Sequence, residues 1–307
     1  MTAAAPLVIL GPTAAGKSDV AMALATKHAD AEIVAVDAMQ VYRRMDIGTA
    51  KPTAADRAAV PHHCLDLVDP SAEFTVTQFA AAATAAMAGI AERQHRSLLV
   101  AGTGLYLRSI TDPMEMPGRW PDVHAELEAR AAADGPEALH RELAALDPAA
   151  AAKMEPTNTR RIVRALEVTL GSGRPFSSFG PGIDTYPPIN VVQFGLRWPR
   201  AALAVRIAAR VRRMIEVGLI EEVTSLSKQA VSRTARQALG YKEIFDHLDG
   251  ICSLDAAVDA IIRRTRQFAV RQERWFRRDP RIRWIDINDD PVGTALPELE
   301  RAWQTSN

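Results

Sequence analysis

The chain has 307 residues, 48% of them hydrophobic, enough to bury a large core and to divide into two domains. Lys and Arg total 37 and Asp and Glu total 37, so no global field draws the molecule to nucleic acid and any basic surface has to be local. No apolar stretch approaches the roughly 20 residues needed to cross a bilayer. The cysteines, Cys64 and Cys252, lie far apart without metal-ligand spacing, so a reducing, cytoplasmic location is expected.

Leu7-Val8-Ile9-Leu10 reads as a buried strand. The segment Ala3–Leu10 lacks a basic leader and a cleavage-type region, so a strand is expected there and not a signal peptide. It runs into Gly11-Pro12-Thr13-Ala14-Ala15-Gly16-Lys17-Ser18, and a helix is predicted over 17–27. Strand, glycine-rich loop and helix in that order give a Walker A pattern its physical meaning. Gly11 and Gly16 let the backbone wrap an oxyanion, with amides and the helix N-terminus facing it. Lys17 adds a cation, and the Ser18 hydroxyl can ligate Mg²⁺. A purely structural turn explains the same residues less well.

A second strand over 32–36 ends at Asp37. Ligands of open α/β sheets bind beyond the carboxyl ends of strands, so Asp37 should face the bound phosphate. Three roles compete for it: a cap or loop acid, a metal ligand, and a general base. His63–Val68 is a further possible strand, and His62-His63 reads as loop or strand polarity rather than a metal site. After a helix over about 75–93, the strand 98–101 ends in Gly102-Thr103-Gly104. It carries no second carboxylate of the kind that holds Mg²⁺ and water in ATPases and GTPases. A motor or switch is therefore disfavoured, while a small-molecule kinase stays open.

At Asp112–Gly118 the texture changes, and an alanine-rich, helical stretch continues to about Leu170 before a Pro/Gly-rich run through Pro188. A strand at 191–196, helices at about 200–216, 219–229 and 254–278, a strand at 282–287 and a polar tail complete the chain. The expected fold is α/β: a P-loop NTPase-like parallel sheet flanked by helices, built from 1–112 and 191–307, with a helical insertion domain over 113–190.

Nine arginines lie between Arg263 and Arg283 against two acids, Glu273 and Asp279. Residues 263, 267, 271, 274 and 278 share one helical face, a stripe suited to a phosphate backbone, although a solvated or salt-bridged face explains such a run on its own. Arg160, Arg161 and Arg164 in the insertion, and Arg206, Arg210 and Arg213 on another helix, make two more basic surfaces. Trp275, Phe276 and Trp284 could stack on bases, but their spacing favours core positions.

The segment Val36–Pro52 resembles the signature of the bacterial tRNA dimethylallyltransferases, also called tRNA isopentenyltransferases. The likeness extends in family order through Gly11–Ser18, Gly102–Tyr106, Arg160–Glu167, Leu239–Glu243 and Thr265–Phe276. Two positions depart from the pattern. Ala38 stands where the family usually has Ser, removing a hydroxyl while leaving the backbone contact, and Ala101 stands for Gly, a packing change.

The resemblance implies transfer of a dimethylallyl group from dimethylallyl diphosphate to N6 of the adenosine 3′-adjacent to the anticodon, tRNA position 37, with Mg²⁺ as cofactor. It implies that Gly11, Pro12, Thr13, Ala14, Ala15, Gly16, Lys17 and Ser18 hold the diphosphate, with Ser18 on Mg²⁺ and with Thr103 and Arg206 as further diphosphate contacts. Asp37 would take the proton from N6. The anticodon stem-loop would meet Asp37, Ala38, Met39, Gln40, Arg160, Arg161, Ile162, Val163, Arg164, Gly240, Tyr241 and Lys242, with the insertion gripping the stem. Arg263, Arg266, Gln267, Arg271 and Arg274 join them from the basic stripe. A monomer is expected, since one tRNA per chain needs no symmetry. The alternatives are a P-loop kinase, an RNA-binding protein without activity, and a prenyltransferase for free adenine nucleotides, which would not need the insertion.

Overall fold

Leu7–Leu10 is buried on both faces, as befits the middle of a parallel sheet with helices on each side. In the computed structural model, which describes residues 5–180 and 182–305, this segment is β1. The other strands are β2 (Ala31–Val36), β3 (His62–His63), β4 (Arg96–Ala101), β5 (Val192–Arg197) and β6 (Arg283–Asp286). They form one sheet in the order β3-β2-β4-β1-β5-β6, with every pair parallel. The apolar runs of the sequence account for β1, β2, β4 and β5. The strand expected over His63–Val68 is shorter, because Cys64 and Asp66 adopt positive φ values of 63° and 55° and turn the chain away.

The chain divides into two compact units, Met1–Thr111 with Pro188–Asn307, and Asp112–Pro187. In the first, helices Lys17–Ala25 and Val76–Glu92 pack on the sheet, while Arg200–Glu216 and Leu254–Phe276 pack against each other. The tail, read from sequence only as polar, is a helix, Pro291–Thr305. Its buried Ala295, Leu299, Ala302 and Trp303 recur at helical spacing and pack toward helix Lys17–Ala25. Arg96 from β4 stacks its guanidinium 4.4 Å from the Trp303 ring and donates to the Trp303 carbonyl at 2.7 Å. These contacts make the tail part of the core.

The second unit contains helices Pro121–Asp134, Pro136–Leu146, Pro148–Ala151 and Thr159–Ser172. Three begin with proline, whose missing N–H costs nothing in a first turn. Leu127, Leu139, Leu143, Ile162 and Leu166 fill their common core. The buried Asp147 carboxylate accepts from the Ala150 amide at 3.0 Å and from the Ser177 amide and hydroxyl, each at 2.7 Å, fastening the segment after the last helix.

Candidate active site

The register row Val36↔Ala101↔Leu10 crosses β2, β4 and β1. The next residue on each strand, Asp37, Gly102 and Gly11, therefore emerges side by side at the carboxyl edge of the sheet. Ala101 is fully buried in that row, as a packing position should be.

Beyond β1 the loop turns through Gly11, Ala14 and Gly16 at φ 145°, 63° and 88°. A Cβ on Gly16 would lie 2.5 Å from Pro291 Cγ, so the final helix packs directly against the loop. Trp198 Nε1 donates to the Ala15 carbonyl at 3.0 Å, and Arg206 Nε donates to the Ala14 carbonyl at 3.0 Å. Arg206 also stacks on Trp198, 4.4 Å from its centroid. The cation expected to meet diphosphate thus buttresses the loop backbone through Nε.

Arg210, one turn further along the helix, was assigned by sequence to a basic surface, but its Nη1 donates to the Thr13 hydroxyl at 3.2 Å. Burial pulls its guanidinium below the ordinary value, while Asp37 and Asp19 pull it back. Lys17 Nζ donates to the Pro12 carbonyl at 2.9 Å. Its ammonium is pushed down to about 8 by burial and by Arg210, against Asp37. Two cations and the loop thus concentrate positive charge beside one carboxylate.

Asp37 Oδ1 accepts from the Met39 amide at 2.8 Å and the Gln40 amide at 3.3 Å, so one oxygen caps the following turn. Oδ2 makes no hydrogen bond among the described residues; an imaginary Cβ on Gly102 would lie 3.4 Å from it. The Ala38 amide donates to Thr103 Oγ1 at 3.4 Å, so position 38 engages the second loop through its backbone. The cap and general-base roles are compatible, because they use different oxygens.

Gln272 links the two loops. Its Oε1 accepts from the Thr13 amide at 2.8 Å and its Nε2 donates to the Gly102 carbonyl at 2.7 Å. Sequence reasoning placed this glutamine within a matching block but gave it no role. The available signal was a polar residue among the buried positions Ala269, Glu273 and Phe276 of an amphipathic helix.

The signature segment 37–52 is held from beneath. Lys51 Nζ is buried between Asp46 Oδ1 at 2.8 Å and Asp66 Oδ1 at 2.6 Å. Glu222 accepts from the amides of Asp46, Ile47 and Gly48 at 2.9, 2.8 and 3.2 Å. Tyr241 donates to Glu222 Oε1 at 2.6 Å, and its ring lies so close that a Cβ on Gly48 would meet it at 2.4 Å. Burial and the Glu222 charge raise the phenol well above its usual range. This corrects an expected tRNA contact: Tyr241 is fully buried and braces the signature segment. Gly240 donates its amide to Glu243 at 2.9 Å, and Lys242 pairs with Asp246 at 2.5 Å.

A cavity of about 110 Å³ opens between these elements. Its lining includes the polar Thr13, Asp37 and Arg210 and the apolar Met39, Ile207, Val211, Met214 and Phe268. Phe268 is 36% exposed, and the Arg271 guanidinium lies 5.8 Å from its centroid. It is the aromatic at this cavity that sequence reasoning missed. The aromatic candidates named from sequence pack elsewhere: Phe276 is buried, Trp275 fills the space beside Gly104, and Trp284 lies against Gly195.

The arginine stripe divides. Arg264 is paired with Glu243 and Arg277 with Glu273, whereas Arg263, Arg271 and Arg274 are exposed without an ion pair among the described residues. Arg266 donates weakly to the Ala204 carbonyl at 3.4 Å. With Arg212, Arg263 and Gln267 it lines an open groove of about 560 Å³. In the second unit, Arg160 and Arg161 are exposed. Ile162 and Val163, expected at the RNA, point into that unit's core and are 0% and 2% exposed. Arg164 holds Glu167 at 2.8 Å and the Pro117 and Gly118 carbonyls at 3.0 and 2.9 Å, a local structural role.

Among the described residues no cluster of three or more His, Cys, Asp or Glu could hold a metal. The donor set nevertheless suits Mg²⁺ bound with a phosphorylated substrate, since that ion keeps waters and phosphate oxygens and takes only one or two protein oxygens. Ser18 is exposed in the first turn beyond the loop and can supply one. No helix among the described residues is long and apolar enough to cross a membrane.

A family model described as IPP transferase matches residues 40–279, and one described as isopentenyl transferase matches residues 5–65. The tRNA dimethylallyltransferase of Kineococcus radiotolerans is 48% identical over 305 residues, covering 96% of each chain. That of Streptomyces avermitilis is 45% identical, covering 95% of this chain and 93% of its own. The full-length tRNA isopentenylpyrophosphate transferase of Bacillus halodurans superposes with a TM-score of 0.71 at 38% identity, covering 98% of this chain and 96% of its own. A eukaryotic dimethylallyltransferase acting on tRNA superposes with a TM-score of 0.79 at 26% identity, covering 97% and 77%.

Proposed function

Since this chain belongs to the tRNA dimethylallyltransferase family and is a prenyltransferase that modifies tRNA, we propose that its donor is dimethylallyl diphosphate and its acceptor N6 of the adenosine at tRNA position 37. The observation that carries this reading is the emergence of Gly11, Asp37 and Gly102 after the paired strand ends Leu10, Val36 and Ala101, beside a cavity lined by Arg210 and by apolar side chains. The arginine and the loop suit a diphosphate, and the apolar side chains suit a branched hydrocarbon.

In the step we envisage, N6 attacks C1 of the donor. The C1–O bond breaks with its electron pair passing to the diphosphate, and the N6 proton passes to Asp37 Oδ2. Loop amides, Lys17 and Arg210 stand where charge grows on the leaving oxygen, so they stabilise the transition state more than the ground state. Thr103 joins them from the second loop, while Arg206 acts by fixing the Ala14 carbonyl. Mg²⁺, held by Ser18 and diphosphate oxygens, would neutralise part of that charge. No water needs activating, which explains a P-loop without a second carboxylate after β4.

Anticodon loops present unpaired bases, so extruding an adenine costs at most a few kcal/mol. Phe268 offers the incoming base an apolar face beside Asp37. Arg263, Arg266, Gln267, Arg271 and Arg274 would follow the phosphate backbone, joined by Ala38 to Gln40 and by Gly240 and Lys242, with the buried Tyr241 bracing the segment from behind. Arg160 and Arg161 would grip the anticodon stem from the insertion. We take the enzyme to act as a cytoplasmic monomer, since one tRNA per chain needs no symmetry.

The test is transfer of radiolabel from dimethylallyl diphosphate to unmodified tRNA with Mg²⁺. Label at position 37 is expected. Label in free adenine nucleotides, or phosphate transfer from ATP to a small molecule without label in tRNA, would replace this reading.

A further inference from the structure

We infer that Gln272 is a positioning residue for prenyl transfer: its carboxamide sets the spacing between the loop that holds the leaving group and the loop that flanks the base. The inference rests on the reaction proposed above.

The side chain is 7% exposed, and both of its polar atoms are committed. Oε1 accepts from the Thr13 amide at 2.8 Å, across 259 residues of chain, and Nε2 donates to the Gly102 carbonyl at 2.7 Å, across 170. From Gly102 the connection continues to Asp37 in two ways. The Gly102 amide donates to the Val36 carbonyl at 3.2 Å, and neighbouring Thr103 accepts from the Ala38 amide at 3.4 Å. An imaginary Cβ on Gly102 would lie 3.4 Å from Asp37 Oδ2 and 3.5 Å from Gln272 Nε2, so glycine leaves both groups room on the same side. One planar amide thus spans from the diphosphate loop to the immediate neighbourhood of the base.

The bridge has a direct consequence for the loop. Thr13 N–H serves Gln272, so anion binding falls to the remaining amides and cations. Transfer requires the leaving oxygen and the proton acceptor on opposite sides of a short reacting assembly, and a misplacement of about 1 Å can cost on the order of 10²-fold in rate. Only a group with one donor and one acceptor at this length completes the bridge. Methionine matches the length and offers neither; an ionised glutamate accepts from Thr13 but cannot donate to Gly102.

The experiment compares wild type, Gln272→Met and Gln272→Glu for label transfer to tRNA between pH 6 and 9, with KM for tRNA and Tm recorded. Gln272→Met should lose about 10²-fold in kcat at every pH, with KM for tRNA within about twofold of wild type. Gln272→Glu should lose as much at high pH and recover relative to wild type as pH falls. Its buried carboxyl titrates above the ordinary range and, once protonated, again offers one donor and one acceptor. A wild-type kcat in Gln272→Met, or a pH-independent deficit in Gln272→Glu, overturns the inference; should Gln272→Met not fold, the pH response of Gln272→Glu decides. An inactive wild type would instead overturn the prenyl-transfer reading on which the inference stands.

Discussion

Lys17 Nζ donates to the Pro12 carbonyl at 2.9 Å, so the ammonium closes the loop that carries it and forms no ion pair with Asp37. The contact holds the cation inside the loop, where burial and Arg210 bring its pKa to about 8. A lysine with that value is protonated at neutral pH and loses its charge only slightly above it.

Affinity for inorganic pyrophosphate should therefore weaken as pH rises through about 8, because the protonated form attracts the anion and the neutral form does not. Calorimetric titration between pH 6.5 and 9.5 should show this loss together with proton uptake on binding near pH 8 and above. Lys17→Arg, which stays charged throughout, should lack the transition.

Asp37→Asn should lower kcat by roughly 10²–10⁴. The amide oxygen of asparagine still accepts from Met39 and Gln40, so tRNA and pyrophosphate affinities should change by no more than a few-fold. Single-turnover label transfer and filter binding measure the two separately. Loss of affinity with an unchanged chemical step would reduce Asp37 to a turn cap.

Arg263→Gln, Arg271→Gln and Arg274→Gln should each weaken tRNA binding about equally across tRNA species. Each should also lower the slope of log affinity against log salt by roughly one. Pyrophosphate affinity should not move, since these side chains are exposed on the outer face of their helix. A variant that alters the preference among tRNAs would point to base contact instead of phosphate contact.

Glu32 tests the far end of the sheet. Its buried carboxylate is pulled down to about 2, chiefly by the Arg93 guanidinium, with His63 and His95 adding hydrogen bonds against the cost of burial. A depressed carboxylate contributes stability above its ordinary value near 4.5, and that contribution drains away as pH falls toward 2. Glu32→Gln should lower Tm by several degrees at pH 7. The gap from wild type in urea unfolding should narrow steadily below pH 4.5.

Apolar runs located β1, β2, β4 and β5, because strands buried on both faces are mostly apolar; the buried Glu32, Arg96, Ser97 and Gln193 lie at or near the strand starts. The tail 291–305 looked polar because Glu298, Glu300 and Arg301 interrupt the spaced positions that meet the core, and its helix depends on partners more than 260 residues earlier. Ile162, Val163 and Tyr241 lie within matching blocks yet face inward. A block boundary does not distinguish residues that touch a ligand from those that hold the first kind in place.

What the sequence determined alone was the chemistry available: a phosphate loop after a strand, an acid after the next, a glycine pair in place of a second acid, and a dense run of arginines. These are local properties, written in composition and short spacing. What only the tertiary structure decided was which groups share a site. The common register of β1, β2 and β4 brings residues 11, 37 and 102 to one edge, and a helix from the far end of the chain delivers Gln272 between two of the loops. Parallel pairing joins segments separated by long crossovers, so proximity at that edge is a property of the folded sheet and not of any stretch of chain.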